Sequence, residues 1–442
     1  MKLLSNLLGP RQAFDGGLFL RDYKAITARR PIEWLHADGP LHIPLSVRAD
    51  FPVTPVVDVG DRVIRGQRLT IPDTQAGLPV HSPISGHIAR FESVWSPFDG
   101  AVPGIVIDPD GRRDAVPPVQ SWADESVIGQ LVEHGVVCPM SRQPLHTIIR
   151  EAVRRGVSEL IVNAMETEPY LTADLRTLVE DAGRVVDTTS ELADALSAVR
   201  AIIAAPFRHR HVMKRLLSDA AGRMVEVAVL PDPFPQCHPH LLIKSILNRE
   251  VEPGGSPLDL GVVVLPLSTV RQAAEALLDD RAVTHVLLTV AGDAVDRPGT
   301  YRVPIGMPIR RIAESIGLTG PVRQAVIGGP LTGIPMRDEN AVVTIDMTAV
   351  LLFTTTEQVN PVDCIRCGWC IEDCPIGLSP PDLVRLESRA TVNSIEMSHL
   401  RACIDCGLCT HVCPSQLPLS QTIKSLRDRF DGGEADRETG RR

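Results

Sequence analysis

The chain has 442 residues, with 45 Lys and Arg against 54 Asp and Glu and a formal net charge of −9. That length holds roughly three or four domains with ample core volume, and the acidic balance counts against a nucleic-acid partner. Its 37 prolines and 33 glycines point to many turns and short strands rather than to a long-helix protein. No apolar run reaches membrane-spanning length: the best stretch, Ala349 to Phe353, is far too short and follows Asp346. The opening M-K-L-L-S-N-L-L-G-P is too brief for a signal peptide and lacks a cleavage site. The expectation is a cytoplasmic protein, soluble or peripheral.

In chain order, residues up to about 30 read as an irregular arm. From Ile43 to Ile107, short β-type runs alternate with turns. V-D-V-G-D-R-V-I-R-G-Q around Gly60 and P-V-H-S-P-I-S-G-H-I around Gly86 look like two copies of one hairpin, as in the sandwich of biotinyl and lipoyl carriers. No lysine stands at a turn for modification, so a swinging arm is not expected. His81 and His87 read as solvated turn histidines. The middle alternates helix and strand. Ser141 is a candidate cap and Gly156 a stop for a helix through Ile149. Thr172 is a candidate cap and Gly183 a stop for the next, followed by a further helix after Ser190. Strands at 159–163, 201–205 and 225–230 complete an α/β layer with mainly parallel strands.

Two polar features mark that layer. N-A-M-E-T-E-P-Y follows the strand ending at Asn163, where α/β sheets place ligands. Asn163, Glu166 and Glu168 are therefore candidate cofactor contacts, to a ribose hydroxyl, a flavin edge or a nicotinamide. R-H-R-H-V-M-K-R from Arg208 reads as a solvated basic turn. Beyond Gly255, a strand, a helix in the 270s, two strands around a Pro-Gly turn and G-G-P-L-T-G (Gly328 to Gly333) read as a small β-grasp-like unit. Its glycines miss the dinucleotide spacing. The charged tail from Asp431 reads as disordered.

Eight of the ten cysteines form two matching runs of C-x2-C-x2-C-x3-C-P. The first supplies Cys364, Cys367, Cys370 and Cys374, the second Cys403, Cys406, Cys409 and Cys413. Three thiolates two residues apart on a tight loop reach three corners of one cubane, and the fourth turns to the other cluster, as in bacterial two-cluster ferredoxins. Cys364, Cys367, Cys370 and Cys413 are assigned to one [4Fe-4S] cluster, and Cys403, Cys406, Cys409 and Cys374 to the other. Gly368 and Gly407 let the backbone curl closely. Structural zinc suits C-x2-C pairs but leaves the third step and the Cys-Pro ending unexplained. Cys237, with His238 and His240, is too local to make a tetrahedral site alone, and Cys138 reads as a buried apolar residue.

This order of modules resembles the RnfC family, a component of the Rnf ion-translocating electron-transport complex. The resemblance rests on I-P-L at Ile43, V-G-D-R-V at Val59, P-V-H-S-P-I-S-G at Pro79, N-A-M-E-T-E-P-Y at Asn163, N-R-E-V-E-P-G-G at Asn248, T-V-A-G-D-A-V at Thr289, G-G-P-L-T-G at Gly328 and both cysteine runs. It implies a multidomain α/β protein: an arm (1–30), a carrier-like barrel-sandwich hybrid (31–120), an NADH-dehydrogenase-flavoprotein-like α/β domain (121–258), a β-grasp (SLBB-like) domain (259–355), an α-helical two-cluster ferredoxin domain (356–425) and a tail (426–442). It also implies FMN in the α/β layer, reduced by NADH. The family's glycine-rich phosphate loop should lie near Gly135 to Thr147, where this chain has G-V-V-C-P-M-S-R-Q-P-L-H-T. Cys138, Met140 and Ser141 stand in for glycines and obstruct close approach of a phosphate. The family's Y-P-Q-G-x-E-K segment is F-P-Q-C-H-P-H here, Phe234 to His240. FMN binding and NADH oxidation are therefore expected to be weakened or absent.

The function implied is electron transfer through two [4Fe-4S] clusters, peripheral on the cytoplasmic side of the plasma membrane. Its partners would be other subunits of an ion-translocating complex and a soluble donor or acceptor, NADH or ferredoxin. The alternative is an FMN- and NADH-dependent reductase of a bound cofactor such as cobalamin. An adaptor with structural clusters is disfavoured, since one metal centre would serve for folding.

Overall fold

The computed structural model describes residues 14–45, 48, 50–118, 126–356 and 358–438. The first thirteen residues and the last four, on which the arm and tail readings partly fall, lie outside them.

The first sheet runs Leu41–Pro44, Gly100–Pro109, Gly86–Ser96, Arg62–Val63, all antiparallel. Alternating side chains put Ile88, Ile105 and Ile107 inside. Its core is continuous with that of a six-stranded sheet ordered Glu33–Trp34, Gly299–Pro304, His285–Ala291, Ala349–Phe353, Gln324–Ile327, Ile334–Pro335. The Ile309–Ile316 helix covers this second sheet with Ile309, Ile312 and Ile316. The contact is tight: a Cβ on Gly306 would meet the His42 carbonyl oxygen at 2.9 Å.

Between them in sequence lies a parallel sheet ordered Val225–Leu230, Arg200–Pro206, Glu159–Asn163, Val262–Pro266. The inner strands are apolar runs because helices cover both faces. The order reverses between Glu159–Asn163 and Val262–Pro266, which opens a crevice at their carboxyl ends. The Ala173–Leu196 helix packs on one face with the Leu267–Asp279 helix.

Some expectations are corrected: the strand and helix after Gly255, read with the β-grasp-like unit, are Val262–Pro266 and Leu267–Asp279 and belong to the parallel layer. Gly183 does not stop a helix: the chain stays helical from Ala173 to Leu196, with a kink at Asp181 (φ −128°, ψ 27°) in place of a break before Ser190. Thr172 occupies the cap position but makes no side-chain cap bond. Ser141 does not cap either, since that helix begins at Leu145 behind Pro144. His81 is buried rather than solvated, and burial pushes its imidazole down to about 3. The last helix, Leu419–Glu438, continues through part of the stretch read as a disordered tail. It closes a small core with Leu383, Leu386, Met397 and Leu400 under the cysteine loops.

Candidate cysteine cages and the cleft beside them

The two cysteine runs fold alike. Arg366 and Asp405, between the first and second cysteine of each run, sit at φ 59° and 54°, and Gly368 and Gly407 at φ 88° and 80°. A left-handed residue other than glycine is uncommon, and its recurrence at one position winds both loops so that three thiols converge. A single helical turn follows in each, Trp369–Glu372 and Leu408–His411.

The thiols gather in crossed sets. Burial pushes the Cys370 thiol up, and its neighbours Cys367, Cys413 and Cys364 push it further. Burial likewise pushes Cys406 and Cys409 up to about 12, with Cys374 and Cys403 beside both. Cys374 thus stands with the second triplet and Cys413 with the first. A small apolar cavity is lined by Cys374, Cys403, Cys406 and Cys409 together, and the Leu378 amide donates to Cys374 Sγ at 3.4 Å. The raised thiols show that negative charge there is unfavourable without a cation, which iron supplies. Tetrahedral zinc, at about 2.3 Å from sulfur, would draw four thiolates into van der Waals contact. The crossed sets instead suit a pair of cubanes, whose thiolates sit on separate corners and whose fourth ligand comes from the other run.

A cleft of about 420 Å³ lies at the carboxyl ends of the parallel strands, and Asn163, Glu166 and Glu168 all line it. The three candidate contacts come together there, and each is engaged within the chain. Asn163 Nδ2 donates to the Cys237 carbonyl oxygen at 2.7 Å. Glu166 accepts from the Asp174 and Leu175 amides at 3.1 and 3.3 Å, and so takes for the Ala173–Leu196 helix the capping role expected of Thr172. Glu168 accepts from the Leu331 amide at 2.9 Å and from the Thr332 amide and hydroxyl. Burial raises its carboxyl above the usual range against those bonds. Only glycine fits at 329, where a Cβ would lie 2.0 Å from Glu168 Oε2.

At the other end of the cleft, residues 135–147 form a hairpin, Val137–Cys138 with Gln143–Pro144. The amides of Gly135, Val136, Val137, Arg142 and Leu145 all donate within the protein. Arg142 forms ion pairs with Asp99 and Asp346, both at 2.5 Å. Those five amides are spent within the protein and the Arg142 guanidinium is paired, so the residues fit the phosphate end of FMN poorly.

Several residues at this site were not legible in the sequence. Lys24 of the arm is 4% exposed, donates to the Glu166 carbonyl oxygen, and is lowered by burial. Tyr23 stacks on Tyr170 at 4.9 Å. The Gly17 amide donates to the Asp373 carbonyl oxygen at 3.0 Å, and Leu18 pairs with Phe234, so the arm joins the cleft to the first cysteine run. Gly407 abuts the Leu331 carbonyl oxygen, which a Cβ would meet at 2.8 Å. No periodic pattern announces such contacts.

A carrier-like sandwich, a flavoprotein-type α/β layer and a pair of thiol cages define a modular electron-transfer protein. Three family profiles match in that order: the RnfC barrel sandwich hybrid domain over residues 12–112, the Nuo51 FMN-binding domain over 141–275 and the 4Fe-4S dicluster domain over 355–417. The chain is similar over more than four fifths of its length to the RnfC proteins of Rnf-type complexes, as the sequence resemblance implies. It is 28% identical over 380 residues to the RnfC protein of the proton-translocating ferredoxin:NAD(+) oxidoreductase complex of Clostridium ljungdahlii, covering 84% of this chain and 83% of that one. It is also 28% identical to the corresponding protein of the Na(+)-translocating complex of Acetobacterium woodii, over 85% and 87%. With the counterpart in the ion-translocating oxidoreductase complex of Rhodobacter capsulatus it shares 27% identity over 86% and 76%.

Proposed function

We propose that the chain is the electron-transfer subunit of a membrane-associated Rnf-type oxidoreductase whose complex couples electron flow to ion translocation. When bound, two [4Fe-4S] clusters supply one-electron carriers; Cys364, Cys367, Cys370 and Cys413 hold one, and Cys403, Cys406, Cys409 and Cys374 the other. The observation that carries this reading is the crossed gathering of the thiols, which ties the two cages together through Cys374 and Cys413. The names of the relatives supply the complex and its coupling to ions. Among the described residues no helix is long and apolar enough to cross a membrane, which agrees with a peripheral subunit on the cytoplasmic face, reached by NADH or ferredoxin. The six-stranded sheet with its Ile309–Ile316 helix is read as the β-grasp (SLBB-like) unit.

The chain's own residues orient and insulate. Glu168 and Gly329 fix the Gly328–Gly333 loop against Gly407 of the second cysteine loop. Asn163 and Glu166 stiffen the crevice floor. FMN is not assigned, because the phosphate end of the cleft is closed by the Val137–Pro144 hairpin. Anaerobic reconstitution tests the reading: about eight irons and eight sulfides per chain are expected for two cubanes, with no stoichiometric FMN. Zinc at the thiols, or no paramagnetic signal on reduction, overturns the clusters; one FMN per chain overturns the closed cleft.

A further inference from the structure

A cavity of about 670 Å³ opens where the barrel sandwich, the parallel layer and the six-stranded sheet meet. It adjoins the cleft only across Thr177 and Arg271, which line both. Arg65 enters from the barrel sandwich, Arg281 from just past the Leu267–Asp279 helix, and Trp34, His285 and Arg302 from the six-stranded sheet.

Four of the five carboxylates around this cavity are committed, and the fifth, Asp181, lies near Arg184. Arg184 is bidentate on Asp279 at 2.6 and 3.0 Å. Arg271 and Arg302 share one oxygen of Glu275, at 2.9 and 2.5 Å. His134 holds Asp280 at 2.9 Å, and Arg68 holds Glu133. Among the described residues no hydrogen bond or ion pair engages the side chain of Arg65 or of Arg281. Arg65 is half-buried and lowered by that burial and then by Arg281 beside it, with no acidic group offsetting either. His285 reports the same field. Burial holds it down to about 3, and Arg65, Arg302, His36 and Arg271 follow as causes. A half-buried guanidinium without a counter-charge is costly, and the exposed Arg281 faces the same cavity as the half-buried Arg65.

We infer that this cavity is a binding site for a phosphate-bearing anion, gripped by Arg65 and Arg281. Two guanidinium forks from different elements suit an anion with several oxygens and more than one charge better than a single carboxylate. The volume exceeds what one phosphate fills, and the half-exposed ring of Trp34 on the wall, with Arg302 over it at 5.3 Å, adds a flat edge for a planar group. Inorganic pyrophosphate and ADP share the phosphate chemistry and separate its two sources.

The test is calorimetric titration of the reconstituted full-length protein with pyrophosphate and with ADP, in wild type, Arg65→Gln, Arg281→Gln and Trp34→Ala. Saturable binding that weakens at least tenfold in each arginine variant is expected. ADP binding tighter than pyrophosphate, with the difference removed by Trp34→Ala, assigns the site to a nucleotide; equal binding assigns it to phosphate alone. A second readout separates this from a structural role. Without ligand, Arg65→Gln relieves like-charge repulsion, so its thermal midpoint is expected at or above wild type while the ligand-induced rise disappears. No binding of either probe, binding matched by sulfate at equal ionic strength, or binding untouched in both arginine variants overturns the inference.

Discussion

The two cysteine loops share a motif and a backbone but not an environment. Trp369, which follows Gly368 in the first, is 53% exposed, whereas Leu408, which follows Gly407 in the second, is 1% exposed. Cys364 and Cys367 are exposed, while Cys403, Cys406 and Cys409 are half-buried with raised thiols. Ile376, Leu378 and Ile423 enclose the second loop from within its own domain, and one neighbour from outside adds to them. The Gly328–Gly333 loop, held by Glu168, lies on the second cysteine loop and leaves the first uncovered. A local motif therefore specifies a cage, and the rest of the chain decides whether that cage faces inward, toward the cleft, or outward, toward another protein. Burial and hydrogen bonds to sulfur tune a cluster's potential, so two identical motifs become two unlike carriers.

The largest effect comes from breaking the crossing itself. Cys374→Ala and Cys406→Ala are each expected to remove one centre, about half the iron, and the double variant no more than that, because both residues serve one cage. Cys374→Ala with Cys367→Ala is expected to remove both centres. Iron counts and reduced-state paramagnetic spectra of the two double variants read the outcome. If each run instead held its own cluster, the two doubles would exchange results.

Next in size is the contact that makes the second cage an inner one. Gly407→Ala and Gly368→Ala carry the same left-handed strain, about 1–2 kcal/mol. At Gly368 nothing lies within 4 Å of the added Cβ, whereas at Gly407 it meets the Leu331 carbonyl oxygen at 2.8 Å. Displacing that loop adds an overpacking cost on the order of 1–3 kcal/mol. Faster thermal loss of visible absorbance from Gly407→Ala than from Gly368→Ala is the expected result, and equal rates would remove the loop from the account.

This contrast also shows what the sequence could and could not convey. The cages were legible because each triplet of ligands lies two residues apart on one loop, and that spacing alone brings the thiols together. The parallel layer was legible from apolar runs such as Leu160 to Val162 between helix signals. What failed was long-range. Lys24 reaches Glu166 across 142 residues, and Glu168 reaches Leu331 across 163, and neither partnership leaves a periodicity to read. Thr172 has the chemistry of a cap, but Glu166 arrives from the preceding loop and takes the same amides. Gly183 has the chemistry of a stop, yet both halves of the helix bury residues against the sheet, Leu178 before it and Val185 and Val186 after, and that burial outweighs a glycine's cost of about 1 kcal/mol. His81, on a stretch that reads as a turn, is enclosed by neighbours the local pattern could not reveal.

Smaller again is the effect of the latch. Glu168→Ala leaves the Leu331 and Thr332 amides without their acceptor, a loss of about 1–3 kcal/mol. Hydrogen exchange at those two amides is expected to quicken by roughly one to two decades, with no such change at the first cysteine loop. The pH dependence has a definite sign. Burial raises the folded carboxyl above its ordinary value, so the folded state holds the proton longer. The contribution of Glu168 to stability is then fullest below the ordinary glutamate value and declines as pH rises through the folded one. Glu168→Gln lacks this titration. Its stability relative to wild type is expected to improve as pH rises over that window, and a difference flat with pH would show that Glu168 titrates as an ordinary surface carboxylate.

The smallest expected effect is kinetic and needs no substitution. In iron-free protein under reducing conditions, iodoacetamide attacks a thiol as its thiolate, so rate follows exposure and ionisation together. Cys364 and Cys367 are exposed on an open loop, whereas burial pushes Cys406 and Cys409 up to about 12. Mass spectrometry at short times is expected to find label on the first pair severalfold ahead of the second at pH 8. Raising the pH by one unit should speed every cysteine that stays below its ionisation midpoint without reordering them. Gly407→Ala, by lifting the Gly328–Gly333 loop, should narrow the gap from the slow side alone. Equal labelling of both pairs in the wild-type chain would mean that the loop does not shield the second cage in solution, and the distinction between an inner and an outer carrier would go with it.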